Sequence, residues 1–239
     1  MAWRRQRFQM EKKKLLIKFP SRSRPARFME TFNLYKGLLS GQHDVQFVLS
    51  FDADDVSMNN AGMHNWLSRN GDSAKWFYGN STSKISAINA DMDRGWDYDV
   101  LLLASDDMIP VKAGYDDIIM RDMAVNFPDF DGVLHYNDGR KGEALNTLSI
   151  MGKKYYDRFG YIYHPSYKSV FCDNEFTDVS RILHKVVYID NVIIKHYWID
   201  IGVDALYQRN EHPAFYHEDG QNYSKRRERN FDIHANSTV

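Results

Sequence analysis

The chain has 239 residues, enough for one large α/β domain or two small ones. Apolar residues make up 43% and charged residues 26%, as in an ordinary folded domain, and a net charge of −1 gives no overall field that would draw the chain to nucleic acid. The single cysteine, Cys172, excludes a disulfide framework and a cysteine-built zinc site, and no apolar run approaches the length of a membrane span.

The amino terminus carries Arg4, Arg5, Arg7, Lys12, Lys13 and Lys14 with no apolar stretch behind them. Residues 1–14 therefore read as a flexible basic arm and not as a secretory signal. With the lone cysteine, this leads to the expectation of a cytoplasmic protein. Residues 15–19 read as a first strand, closed by the donor-rich loop Pro20-Ser21-Arg22-Ser23-Arg24-Pro25. Phe28, Phe32, Tyr35 and Leu39 recur at helical spacing, with Gly41 as the stop. Arginines in such a loop can grip phosphate oxygens as a fork, beside a helix N-terminus that also favours anions; ordinary surface arginines would give the same sequence.

Val45, Phe47, Leu49 and Phe51 alternate as a second strand that runs out into Asp52-Ala53-Asp54-Asp55. Ser57 is the expected cap of a helix reaching about Asn70. Asp52, at the strand's carboxyl end, stands where a base or ribose is held; Asp54 and Asp55 are equally well explained by the dipole of the helix that follows. Residues 75–78 form a short third strand. The turn at 79–83 leads into a helix with Ile85, Ile88 and Met92 on one side, and with Lys84 and Asn89 on different faces.

Residues 100–104 are a continuous apolar run, stopped by Ser105, Asp106 and Asp107 and then Pro110. That is the pattern of a strand buried on both faces. In open α/β sheets, ligands bind beyond the carboxyl ends of the strands. Two adjacent carboxylates there are costly unless something positive sits beside them, and a divalent cation is the usual answer. A polar strand end opening a turn is the plain alternative. Beyond Pro110 come a helix through Ile118, Ile119 and Met123, strands at 130–136 and 147–151 around the turn-rich NDGRKGEALN, and a short helix at 153–159. An aromatic segment, a helix at 174–183, and strands at 186–189 and 192–197 closing the sheet complete the pattern. Residues 211–239 read as a charged tail. Strand and helix alternate through the first half with the spacing of parallel βαβ units.

Four pieces in this order, KFPSRSRP, FDADD, SKISAIN leading into LLLASDD, and FCDNEF followed by KHYW, resemble a family 2-type glycosyltransferase of the GT-A fold. The resemblance covers residues 15–207. It implies a three-layer α/β/α domain with a mostly parallel central sheet over residues 15–210, a nucleotide-binding half at 15–110 and an acceptor half at 111–210. It also implies a nucleoside-diphosphate sugar donor, a carbohydrate or other hydroxyl acceptor, and Mn²⁺ or Mg²⁺. By position, Pro20, Ser21, Arg22 and Asp52 would face the base and ribose, and Lys84 and Asn89 would border the ribose and diphosphate. Arg24 would join Arg22 in offsetting the diphosphate charge. Asp106 would match the metal-meeting acid of the family's Asp-x-Asp motif, with Ser105 and Asp107 beside it on the donor. Ala104 replaces the first acid of that motif, and Asp107 either compensates for it or caps the turn. His196 would complete the metal site, the alternative being a histidine that ends a strand among aromatic rings.

CDNEF is similar to the acidic motif that carries the base in inverting members. Asp173 matches its first position, and Glu175 competes for the role. On a helix the two point about 200° apart, so only one faces the cleft. Retention, which needs no such base, stays open. The tyrosine-rich segment 155–171 is the expected acceptor wall. Two other classes compete: a sugar-phosphate nucleotidyltransferase, against which the loop after the first strand has no glycine, and a non-catalytic nucleotide-sugar or carbohydrate-binding module with a degenerate site.

Overall fold

The computed structural model describes residues 12–94, 96–198 and 202–233. The basic arm lies almost wholly outside these residues. The first half is built from β1 (Lys14–Pro20), α1 (Pro25–Gly37), β2 (Asp44–Asp52), α2 (Ala61–Ser68), β3 (Ala74–Gly79), α3 (Lys84–Asn89) and β4 (Val100–Leu103). There follow β5 (Met108–Pro110), α4 (Tyr115–Asn126), β6 (Val133–Tyr136), β7 (Ile150–Gly152), α5 (Lys153–Asp157), α6 (Cys172–Ile182), β8 (Val186–Ile189), β9 (Ile194–His196), α7 (Ala205–Asn210) and α8 (Pro213–Glu228).

Seven strands form one sheet in the order β3-β2-β1-β4-β7-β6-β8. All neighbouring pairs are parallel except the two that β7 makes, with β4 and β6. The central β1 explains the layering. Leu15, Ile17 and Phe19 point into one core with Phe28, Phe32 and Tyr35 of α1, Leu67 of α2 and Ile119 of α4. Leu16 points the other way, toward Ile85 and Ile88 of α3, Tyr155 of α5 and Phe176 of α6. Period-two burial on a strand with helices on both faces gives three layers, α/β/α. Each fully buried Phe or Leu in these layers contributes about 1.5–3 kcal/mol.

Three local details differ from the sequence reading. First, α1 stops at Gly37, not Gly41, and the helix before β3 is capped by the Asn60 side chain, which accepts from the Met63 amide at 3.0 Å, not by Ser57. Second, the last strand does not close the main sheet: β9 pairs antiparallel with β5 in a separate two-stranded ribbon, with Met108 opposite His196. Third, the expected charged tail is helical over 213–228 and packs on α6. Gly152 has a steric reason: a Cβ there would collide with the Phe130 carbonyl. Among the described residues, no helix is long and apolar enough to cross a membrane.

Candidate active site

Because β1, β2 and β4 run parallel, Pro20, Asp52 and Leu103 end on the same sheet edge. A cleft of about 460 Å³ opens there, within the usual range for ligand sites. On the β1 and β2 side, Pro20, Ser21, Arg22 and Asp52 line it. The Arg22 guanidinium donates to Asp52 Oδ2 at 2.7 Å and forks onto Asp54 at 2.6 and 2.9 Å. Asp52 also accepts from the Ser81 amide at 3.2 Å. The Ser21 hydroxyl is buried and has no hydrogen-bond partner among the described residues.

At the tip of β4 the two acids have different fates. Asp106 is buried, and its Oδ1 accepts from Arg24 at 3.0 Å; Arg24 in turn forks onto Asp204 at 2.6 and 2.7 Å. Burial pushes the Asp106 carboxyl up to about 6, against the pull of Arg24. Asp107 lies 3.6 Å from His196 Nε2 and accepts from the Ser105 hydroxyl. Burial opposes its ionisation, but the bonds from His196 and Ser105 outweigh that and bring it down to about 2. The acid that meets the imidazole is therefore Asp107 and not Asp106. The physical reason is that Arg24 has already claimed Asp106, while the β5–β9 ribbon carries His196 past the neighbouring position. Tyr197 N donates to Asp107 O at 2.9 Å, which ties the ribbon to the tip itself.

His196 Nδ1 faces Asp138 Oδ2 at 4.0 Å. Asp138 is buried; its Oδ1 accepts from the amides of Arg140, Lys141 and Gly142 at 2.8, 2.7 and 3.3 Å, and its Oδ2 from the Thr147 hydroxyl at 2.7 Å. Burial resists ionisation here too, but the Thr147 hydroxyl and these amides hold the carboxyl below the ordinary range. The same nest brings Arg140 and Lys141 to the cleft wall, 5.8 and 5.9 Å from the Trp198 ring. Neither was singled out in the sequence, where the segment reads only as turn-rich; the Asp-Gly-Arg-Lys run itself was the available signal.

Across the cleft, α3 begins with a capping box between Ser83 and Ser86 that fixes Lys84 at its first position. Lys84 is open to the cleft. Enclosure works against its charge, but the acidic groups around it, Cys172 and then Asp107, Asp173 and Glu211, raise it on balance. Asp173, in the first turn of α6, lines the cleft half-buried, and burial raises its carboxyl against the pull of Lys84.

Two expected site residues are not at the site. Asn89 points into the α3 packing, where it accepts from the amides of Ile162 and Tyr163 at 2.9 and 3.2 Å and donates to Tyr163 O at 2.7 Å. Glu175 faces away from the cleft, as the helical angle requires, and is buried against Arg226 at 2.7 and 2.8 Å and the Tyr167 hydroxyl at 2.7 Å. Its carboxylate serves the contact between α6 and α8 and does not line the cleft. The aromatic wall also moves. Tyr155 and Tyr167 are core residues, and of the tyrosine-rich segment only Tyr163 and Phe171 supply rings to the cleft. Its other rings are Trp198, Tyr207 and Tyr216.

No protein-family model matches the chain, and no curated protein matches it. Solved structures do. A mannosyltransferase from Pyrobaculum calidifontis, in complex with GDP-Man and Mn²⁺, superposes with a TM-score of 0.61 at 8% identity over 79% of this chain. GalNAc-T7 with UDP, GalNAc and Mn²⁺ gives 0.62 at 9% identity over 78%. A 4-diphosphocytidyl-2C-methyl-D-erythritol synthase from Anaerococcus prevotii gives 0.51 at 12% identity over 77% of this chain and 90% of its own. The chain spans 58% of the mannosyltransferase and 44% of GalNAc-T7. At these identities the likeness speaks to architecture. The chain has the GT-A fold, with its cleft at the carboxyl edge of the parallel strands.

Proposed function

We propose that the protein is a metal-assisted glycosyltransferase of the family 2 type, moving a sugar from a nucleoside-diphosphate sugar to an acceptor hydroxyl with inversion. The observation that carries this reading is the convergence of Asp107, His196, Lys84 and Asp173 on one cleft at the strand ends. A bare binding module needs no half-buried carboxylate opposite an ammonium group. A nucleotidyltransferase is less favoured, because both arginines of the first loop are already engaged by carboxylates.

Among the described residues, no group of three or more His, Cys, Asp or Glu forms a ready metal cage. The donor set still fits a cation that completes its shell with phosphate oxygens and water. Ligand atoms bound at roughly 2.0–2.2 Å to one ion stand about 3–4 Å apart, and Asp107 Oδ2 and His196 Nε2 are 3.6 Å apart. Asp107 is ionised, and Asp138 faces the other ring nitrogen of His196. A carboxylate with an imidazole suits Mn²⁺ at least as well as Mg²⁺. Asp107 and His196 would hold the ion, which when bound supplies charge neutralisation to a diphosphate.

The rest of the chemistry belongs to the chain. Asp52, Ser21 and the Arg22 pair bound the base and ribose end. Lys84 meets the negative charge that grows on the departing diphosphate oxygen as the bond to the anomeric carbon breaks. Asp173 takes the proton of the acceptor hydroxyl as its oxygen bonds to that carbon from the opposite side; a carboxyl raised by burial is a better base for this than an exposed one. Trp198, Tyr207 and Tyr216 offer ring faces to an acceptor sugar.

The test is calorimetry with UDP and with GDP, each with and without Mn²⁺, followed by transfer assays on wild type and Asp173→Asn. Mn²⁺-dependent binding in both proteins, with turnover lost only in the variant, is the expected result. Undiminished turnover in Asp173→Asn overturns the base assignment. Binding without turnover in wild type with every donor tried returns the chain to the binding-module class.

A further inference from the structure

Asp219 of α8 has no place in the chemistry above, yet it is one of the most heavily bonded carboxylates in the chain. It is buried, and three successive backbone amides point at it: Lys168 at 3.0 and 3.2 Å, Ser169 at 2.8 Å and Val170 at 3.0 Å. Three amides converging on one carboxylate form an anion nest built from loop backbone. That loop is the hub of the acceptor side. The Lys168 carbonyl accepts from the Ile85 amide at 3.3 Å, next to Lys84, and the Ser169 hydroxyl donates to Asn210 O at the end of α7 at 2.6 Å. The loop then passes through Phe171, held at φ 61°, into α6 and Asp173. Phe171 has no side-chain cap to offer, so α6 holds this entry only through the Glu175 amide on Phe171 O at 3.1 Å and the Cys172 thiol near Ser169 O at 3.9 Å. The Phe171 ring stacks on Tyr223 of α8 at 5.7 Å, with Gly220 leaving room for it. Residues 169–174 line the cleft with their other side.

We infer that Asp219 is a positioning residue: a clasp from α8 that sets the 168–171 loop, and through it aims Asp173 and steadies the start of α3 at Lys84. The link to Asp173 rests on the transferase reading; the clasp itself does not. Asp219→Asn removes the charge on which the three amides converge and, with its oxygen at the Oδ2 position, sets its NH₂ against the Lys168 N–H in place of Oδ1, so the clasp weakens with little change in volume.

The sole cysteine reports the result, because Cys172 is buried inside the positioned segment. Labelling by a disulfide reagent is compared between Asp219→Asn and a variant on the far core face, Met123→Ala, under conditions where both have the same distance to their melting points. Local opening at the clasp makes Cys172 react about tenfold or more faster in Asp219→Asn than in Met123→Ala. Equal rates overturn the inference. In wild type, hydrogen exchange gives a second reading that needs no variant to fold: the amides of residues 168–170 exchange as slowly as those of α8, and rapid exchange refutes the clasp. In kinetics, Asp219→Asn lowers kcat while binding of UDP or GDP with Mn²⁺ is unchanged. If wild type binds neither nucleotide, it is the transferase reading that fails, and labelling and exchange still judge the clasp.

Discussion

The Arg226–Glu175 pair gives the sharpest energetic prediction. Both side chains are 6% exposed. The guanidinium makes two charge-assisted bonds to the carboxylate, at 2.7 and 2.8 Å, and longer ones to Phe231 O at 3.3 Å and to the half-exposed Asp232 at 3.4 Å. In Arg226→Met the apolar stem is kept, and Glu175 is left in the α6–α8 interface with only the Tyr167 hydroxyl. Removing one partner of a buried pair costs about 3–5 kcal/mol, since the remaining charge is neither solvated nor matched. At roughly 2–4 °C per kcal/mol for a chain of this size, the melting point falls by about 6–20 °C. Scanning calorimetry and urea titration read the change. The double variant Arg226→Met with Glu175→Leu recovers at least half of it, because a matched apolar pair is close to neutral relative to a buried ion pair. A single-variant loss below about 1 kcal/mol, the value of an exposed pair, would refute the reasoning.

Lys18 gives a pH signature. It is wholly buried in β1, donating to Ala90 O at 2.7 Å and to the Ser50 hydroxyl, which itself donates to Asp91 at 2.6 Å. Burial lowers its ammonium to about 7, against the attraction of Asp91. Between about pH 7 and 10.5 the unfolded chain binds the extra proton, so the Lys18 contribution to stability grows with rising pH and is lost as pH falls through 7. Urea midpoints of wild type against Lys18→Met shift in favour of wild type from pH 6.5 to 9.5; parallel curves would exclude it. At the strand tip, Asp107→Asn or His196→Ala weakens Mn²⁺-dependent nucleotide binding by about 10–100-fold or more. Asp106→Asn leaves the Mn²⁺ dependence and lowers the melting point instead. Calorimetry on the three proteins separates the two acids, and the reverse order would return the metal to Asp106.

Much of the architecture was legible because periodicity reports burial. The alternation in β2 and the unbroken apolar run of β4 each announced a parallel strand, and the acids ending them fell on the shared edge. Asp52 and the Asp106–Asp107 tip could be set at that edge on this basis, whereas Asp173 and His196 came only from the resemblance, in which Asp106 was the metal acid. What stayed hidden depends on partners far along the chain. Nothing near Asp106 announces that Arg24 will occupy it, and the choice between adjacent carboxylates follows from that contact. Glu175 finds Arg226 in a stretch whose polar sequence has no apolar stripe, so α8 packs through ion pairs and a buried acid and not through the pattern that reveals helices. Asn89 was set beside the ribose and diphosphate by the resemblance alone; its three bonds to the backbone at 162–163 show a side chain bracing a loop.

The two-stranded ribbon has a consequence for how this site can vary. Opposite residues on such a ribbon are set by main-chain pairing, so the imidazole is delivered by counting residues and not by side-chain contacts. Shortening β5 by one residue would turn the histidine to the reverse side of the ribbon while every side chain of the site remained in the sequence. Exchanges at position 104, by contrast, leave that alignment untouched. The alignment of the site thus depends on chain length just after the tip and not on the side chain at position 104.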